Sequence, residues 1–111
     1  MKLDRNINSD GRGKYAILQL RKLAEYESPE TFGQSEVEKA IELLDKEGLI
    51  DWGITGTDRE FFLIRLKDFH AKRALNAYAD SAVLYDREFA TEVYELANRA
   101  GLSNPSCKLP D

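Results

Sequence analysis

The chain is poor in the residues that build metal, redox and disulfide sites. It has one cysteine, Cys107, and one histidine, His70, among 111 residues. A single cysteine excludes a disulfide within the chain, and a structural zinc site needs about four cysteine or histidine ligands. We therefore predict no metal and no cofactor.

Long apolar runs are also missing from the sequence. No stretch approaches the roughly 20 apolar residues that a transmembrane helix needs. The first fourteen residues, MKLDRNINSDGRGK, lack the apolar segment of a secretory signal. Hydrophobic residues make up 42% of the chain and charged residues 32%, which is typical of a folded water-soluble protein. The sequence predicts a cytoplasmic protein that makes no membrane contact.

Catalytic motifs are absent as well. The sequence has no Ser/His/Asp or Cys/His arrangement and no phosphate-binding loop of known spacing. Residues 10–14, DGRGK, place two glycines just before a predicted helix, where backbone N–H groups could face an anion. Because the spacing of known nucleotide loops is missing, a flexible turn is the simpler interpretation. We predict that the protein is not an enzyme.

Charge is segregated along the chain. Residues 1–26 carry six basic and three acidic side chains, and residues 27–58 carry two basic and nine acidic ones. Residues 59–76 carry five basic and two acidic side chains, and residues 77–111 three and six. Such blocks are either ordinary solvated surfaces or complementary patches that attract a partner.

The pattern around residues 35–66 organises the fold prediction. Ser35 and Glu38 form a capping box, and Gly48 stands where a left-handed residue would end the helix. Leu49 follows and would pack back on the last turn. The apolar positions recur at helical spacing and predict one buried face: Val37, Ala40, Ile41 and Leu44.

A β-hairpin is predicted after that helix. Residues 49–52 and 60–66 are rich in β-forming side chains, and Gly53, Gly56 and Asp58 surround a polar turn between them. Large apolar side chains fall on both faces of residues 60–66, so we expect this strand to be at least partly covered on both sides.

Helical patterns flank the hairpin on both sides. Helices are predicted over residues 15–26, over a short turn at 29–32, from Asp68 to about residue 83, and over residues 87–100 with Asp86 as cap and Gly101 as stop. The tail 102–111 is expected to dock through Cys107 and Leu109. The predicted fold is an α+β single domain of residues 1–111, in which about four helices flank a small antiparallel hairpin and residues 1–14 form a polar N-terminal segment.

The order of helices and hairpin is also that of a winged helix-turn-helix. In that fold the helix before the hairpin reads the major groove of DNA. Here the helix 35–47 has five acidic and two basic side chains, so a phosphate backbone should repel it. The alternative is a winged-helix-like DNA-binding regulator that uses basic residues near 5–22 and 65–73.

Candidate contact residues follow from the charge and aromatic patterns. His70 is more simply a surface residue than a general acid or base, because no nucleophile lies near it in sequence. The aromatic candidates fit an interface or the edge of a core equally well. Candidates for an anion or partner contact are Arg12, Lys14, Arg65, Lys67, His70, Lys72 and Arg73, and the interface aromatics are Tyr26, Trp52 and Tyr85.

Four stretches carry a resemblance to a group of known proteins. DRNINSDGRGKYA with LRKL, GLIDW, EFFLIRLKD and the ending NPSCKLPD resemble small uncharacterised accessory proteins encoded by phages and prophages. The resemblance implies an accessory role on a host or phage macromolecule and brings no functional residues. The expected function is therefore non-enzymatic binding of a macromolecular partner, with a protein partner or self-association first and nucleic acid second.

Overall fold

The regular structure of this chain is helical. The computed structural model describes residues 3, 5, 8–25 and 36–109. Within these residues it has helices α1 (Leu20–Ala24), α2 (Glu36–Lys46), α3 (Ala71–Ala82) and α4 (Arg87–Ala97), followed by a 3₁₀ turn at Gly101–Ser103. None of the helices found there is long and apolar enough to cross a membrane.

The predicted α+β fold with a β-hairpin is wrong. In the part of the chain that the structure describes, residues 49–52 and 60–66 form no strands. The segment between them is held by two successive turns, in which Thr57 N donates to Ile54 O and Glu60 N to Thr57 O, each at 3.2 Å. An Arg59–Asp51 ion pair at 3.4 Å spans the loop instead of a backbone ladder. A two-stranded hairpin alone is marginally stable, so β propensity without a third strand does not ensure pairing.

The winged-helix-like order fails for the same reason, because its wing is the missing hairpin. The expected cover on both faces of residues 60–66 is also wrong. Phe61, Phe62 and Leu63 are 60%, 88% and 55% exposed. Without neighbouring strands, the apolar residues of this segment have no sheet on which to pack.

The chain divides into two compact units. One consists of residues 1–15 and 63–111, and the other of residues 16–62. The core of the first unit lies between α3 and α4 and is built mostly from alanine. Its buried apolar side chains are Ala71, Ala79, Ala90, Val93, Leu96, Ala97 and Ala100. A unit defined by contacts need not fold alone, so the single domain of residues 1–111 stays a prediction.

Helices α3 and α4 confirm the helical patterns of the second half. The predicted cap of α4 is present, because Asp86 Oδ1 accepts a hydrogen bond from Phe89 N at 3.0 Å. The helix ends at Ala97, three residues before the predicted end. Helix α3 begins at Ala71, with His70 at its N-cap position, and not at the predicted Asp68, whose Oδ1 accepts from His70 N at 2.7 Å.

The first half follows its pattern less closely. Helix α1 has five residues instead of the predicted 15–26, and the predicted turn at 29–32 lies outside the described residues, as does the Ser35 cap. The end of α2 at Gly48 is confirmed, because Gly48 N donates to Asp45 O at 3.0 Å and Leu49 N to Leu44 O at 2.9 Å. The predicted buried face of α2 is wrong, since all its residues are described and none is buried.

The C-terminal tail is docked over its described residues up to Leu109, but the Leu109 side chain does not provide the predicted contact. Lys108 forms a parallel bridge with Asp68. Lys108 N donates to Lys67 O, and Phe69 N donates to Lys108 O, both at 3.0 Å. Cys107 is half-buried, whereas Leu109 is 66% exposed. Backbone pairing therefore holds the tail against the segment that leads into α3.

Candidate functional site

A groove runs along helix α3. We call it the α3 groove. Its volume is about 450 Å³, which is within the range of small-molecule sites. Its lining comes from α3, from the residues just before it and from the 3₁₀ turn: Phe69, His70, Lys72, Arg73, Asn76, Ala77, Asp80 and Leu102.

Three of the residues predicted to contact an anion or a partner line one end of this groove. His70, Lys72 and Arg73 belong to the first turn of α3 and the residue before it. Lys72 is held in place by a 2.6 Å hydrogen bond from its Nζ to Ser103 Oγ. The ring of His70 makes an edge-to-face contact with Phe69, with 5.2 Å between the centroids. The structure thus gathers these side chains around a common space.

The start of α3 has a carboxylate of its own. Positive charge at the N-terminus of a helix is unfavourable with the helix dipole, and a nearby carboxylate offsets it. Asp68 accepts from the backbone N–H of His70 at 2.7 Å and so satisfies one of the first donors of the helix. An anion in the α3 groove is therefore not required to form the helix.

The other end of the α3 groove is acidic. Asp80 lines it, and its Oδ1 accepts a hydrogen bond from the hydroxyl of Tyr94 on α4. This hydrogen bond raises the pKa of Tyr94, because the carboxylate stabilises the protonated phenol, and partial burial acts in the same direction. The groove therefore has opposite charges at its two ends.

A second surface lies at the turn that joins α3 to α4. We call Leu84 and Tyr85 the apolar tip, since they are 86% and 90% exposed. The backbone beneath them is well bonded: Tyr85 N and Asp86 N both donate to Ala82 O at 2.9 Å. The Asp86 cap of α4 fixes the other side of the turn. Two large side chains thus project from a rigid support.

The remaining basic candidates do not line the α3 groove. Arg12 pairs with Asp10 at 3.9 Å, and its backbone N donates to the same carboxylate at 2.9 Å. The ammonium group of Lys14 lies 5.5 Å from the centroid of the Tyr15 ring. Arg65 is exposed and Lys67 is half-buried. These residues stay candidates for a partner contact.

The three aromatic candidates have different environments. Trp52 is 39% exposed and donates from Nε1 to Asp45 Oδ1 at 2.8 Å, so its polar atom is already engaged within the chain. Tyr26 lies outside the described residues. Tyr85 is the aromatic that fits an interface best, because it projects from the apolar tip.

Sequence reasoning missed several residues of both surfaces. Leu84 could have been found, because an apolar pair just before a helix cap occupies a position where turns usually have polar residues. Leu102, Asn76 and Asp80 gave no such signal. Leu102 reaches the α3 groove only because the chain returns to α3 after α4, and that return is a tertiary feature.

Metal chemistry finds no support in the described residues. In residues 3, 5, 8–25 and 36–109, no group of three or more histidine, cysteine, aspartate or glutamate side chains is arranged to hold a metal ion. The α3 groove combines cations with one carboxylate and apolar walls, which suits an organic ligand better than a bare cation.

Comparisons with known proteins gave no family for this chain. No protein-family model, no curated protein and no solved structure matches it. The two surfaces just described are therefore the basis on which a function can be proposed.

Proposed function

We propose that this protein is a non-enzymatic accessory or regulatory protein that binds a protein partner through the apolar tip. The supporting observation is the exposure of Leu84 and Tyr85, at 86% and 90%, on a hydrogen-bonded turn. Single exposed apolar residues are common on protein surfaces. Two adjacent large ones expose a larger apolar area to water, which does not stabilise the fold and is typical of an interaction site.

The chemistry of the apolar tip suits a protein interface. Tyrosine is enriched among the residues that contribute most to binding, since it offers a large area and a polar hydroxyl. The turn is already ordered by its bonds to Ala82 and by the Asp86 cap, so binding loses little backbone entropy. A partner with an apolar pocket would remove both side chains from water.

Nucleic-acid binding through basic residues near 5–22 and 65–73 is the second candidate. Arg65 and Arg73 are exposed, which supports some attraction to phosphate. The winged-helix version is not proposed, because the wing is missing. A cytoplasmic location and an origin in a phage or prophage stay predictions.

The proposal is tested by affinity capture with matched variants. The protein is immobilised as wild type, as the double variant Leu84→Ser/Tyr85→Ser, and as the control Leu109→Ser. Leu109 is also exposed, at 66%, and lies away from the α3–α4 turn. We expect wild type and the control to capture the same partner protein from a cell extract, and the double variant not to capture it.

Self-association and nucleic acid are separated by two further measurements. A wild-type dimer seen by light scattering that becomes a monomer in the double variant identifies a second copy as the partner. Equal capture by the double variant and wild type would overturn the proposal. So would tight, salt-sensitive retention of random duplex DNA together with no protein partner.

A further inference from the structure

The α3 groove has a built cationic end that the proposed function does not use. Lys72 Nζ donates one of its protons to Ser103 Oγ at 2.6 Å, and an ammonium group has three protons to donate. This bond positions the ammonium group, and the next residue, Arg73, is exposed and has five guanidinium donors. Two cations and His70 on one turn favour a carboxylate ligand at this end.

Apolar side chains lie next to the cations. Phe69 is 40% exposed and Leu102 is 77% exposed, and both line the same groove. Their backbones are fixed, because Phe69 N donates to Lys108 O at 3.0 Å and Gly101 N donates to Leu66 O at 2.8 Å. The backbone that carries these two side chains is therefore held in place, which lowers the backbone entropy lost when a ligand binds there.

The length of the groove sets the size of its occupant. Lys72 and Asp80 are eight residues apart on α3, which corresponds to about 12 Å along the helix axis. An extended peptide rises about 3.3 Å per residue, so about four residues cover this distance. Asn76 lies between the two ends and can both donate to and accept from a peptide backbone.

We propose that the α3 groove binds an extended segment of about four residues from a protein partner. An acidic side chain of this segment pairs with Lys72 and Arg73, and a neighbouring apolar side chain packs against Phe69 and Leu102. A basic residue is favoured at the Asp80 end, where an acidic one would be repelled. The proposal rests on the proposed function in taking the partner to be a protein.

Short labelled peptides test this assignment by fluorescence anisotropy. The probes are end-blocked Glu-Leu-Ala-Lys, the reversed Lys-Ala-Leu-Glu, and the neutral Gln-Leu-Ala-Gln. Both charged peptides are needed because the segment can lie in either direction along the groove. We expect one charged peptide to bind about tenfold more tightly than the neutral one at low salt, with the difference shrinking as salt is added.

Variants locate the binding. Arg73→Gln removes one exposed cation and should weaken the preferred peptide about fivefold, and Lys72→Gln should do the same. The control Arg87→Gln removes an exposed cation from the first turn of α4 and should leave binding unchanged. Far-ultraviolet circular dichroism confirms that each variant is folded.

Three results would overturn the proposal. The first is that neither charged peptide binds more tightly than the neutral one, and the second is that Arg87→Gln weakens binding as much as Arg73→Gln or Lys72→Gln. The third is that a short single-stranded oligonucleotide binds more tightly than every peptide. Displacement of the peptide by millimolar inorganic phosphate alone would count against it too, because it would show a site for any anion. Failure here is distinct from failure of the proposed function. Peptide binding does not involve the apolar tip, and capture through the tip does not require the α3 groove.

Discussion

Gly101 occupies a position that leaves no room for a side chain. Its φ is +57°, in the left-handed region, and it is buried. An added Cβ would lie 2.9 Å from Cβ of Lys72 and 3.0 Å from the carbonyl oxygen of Phe69. The return of the chain onto α3, and with it the wall of the α3 groove, depends on this close approach.

Gly101→Ala should therefore destabilise the protein by about 2 kcal/mol or more, as left-handed strain and a backbone clash add together. The matched control is Gly11→Ala. Gly11 has φ +85° and nothing within 4 Å of its added Cβ, so only the strain remains and a loss of about 1 kcal/mol is expected. Chemical denaturation followed by circular dichroism measures both. Equal losses of stability in the two variants would show that the close contacts around Gly101 do not add to the cost of the substitution.

Tyr94 and Asp80 form a second residue-scale feature that can be tested by titration. The hydrogen bond to Asp80 raises the pKa of Tyr94, so its contribution to stability is fully present below the ordinary pKa of tyrosine. That contribution is lost as the pH rises through the raised value. Asp80→Asn should move the alkaline titration of Tyr94 to lower pH, as measured by ultraviolet absorbance.

Two variants complete that titration. Tyr94→Phe should remove the part of the absorbance change that occurs at the higher pH, which assigns this late-titrating component to Tyr94. Glu95→Gln removes a neighbouring carboxylate that makes no hydrogen bond to Tyr94 among the described contacts, and it should leave the component in place. A shift of the same size in Glu95→Gln and Asp80→Asn would refute the hydrogen bond as the cause.

At the scale of elements, alanine decides how α3 and α4 pack. Ala79 of α3 and Ala90 and Ala97 of α4 are completely buried. Small side chains at these positions let the two helices approach closely, while Val93 and Leu96 supply the larger apolar groups. A core of this kind has little free volume to accept a bigger side chain.

Ala79→Leu should lower the free energy of unfolding by about 1–3 kcal/mol, because the added atoms force the helices apart. Ala74→Leu is the control on the same helix. Ala74 is exposed, so its replacement should change stability by no more than about 0.5 kcal/mol. Denaturant midpoints of the two variants provide the comparison. Similar midpoints for both would mean that α3 does not pack on α4 through Ala79.

Helix patterns were predictable where local signals were complete. The Asp86 cap of α4 and the stop of α2 at Gly48 both lie within a few residues of the helix that they define. Helix α1 lacks such signals, since Gln19 at its start makes no side-chain cap. Its apolar spacing over residues 15–26 therefore overstated its length.

At the scale of the whole molecule, burial is concentrated in one of the two units. All the buried residues of the described part belong to the unit formed by residues 1–15 and 63–111. Helix α2 belongs to the other unit and has only exposed and half-buried residues. Few buried apolar contacts permit local opening at low free energy.

Amide hydrogen exchange should therefore separate the helices. We expect the amides of α3 and α4 to exchange slowly and those of α2 to exchange much faster in the same sample, as followed by mass spectrometry of peptic fragments. If adding a partner slows amide exchange in α2 alone, the partner binds to the unit of residues 16–62. Equal protection of α2 and α4 in the isolated protein would contradict the prediction.

The α3 groove was only partly visible in the sequence. His70, Lys72 and Arg73 were predicted as contact residues because they are close together in the chain and basic. Asp80 and Leu102 were not, since each enters the groove through helix geometry or through the return of the chain. The cationic end is thus a local feature, and the ligand-sized space beside it is a tertiary one.

By itself, the order of the residues determined the start of α4 and the end of α2, the single unpaired thiol, and the alternation of basic and acidic blocks. These features depend on neighbours within one or two helical turns. Only the tertiary structure decided that residues 60–66 form no strand pairing, that Lys108 docks beside Asp68, and that Leu102 lines the α3 groove. The physical reason is that each of these outcomes depends on which distant segments come into contact, and the free energy of such contacts is set by packing and hydrogen bonding that local propensity does not encode.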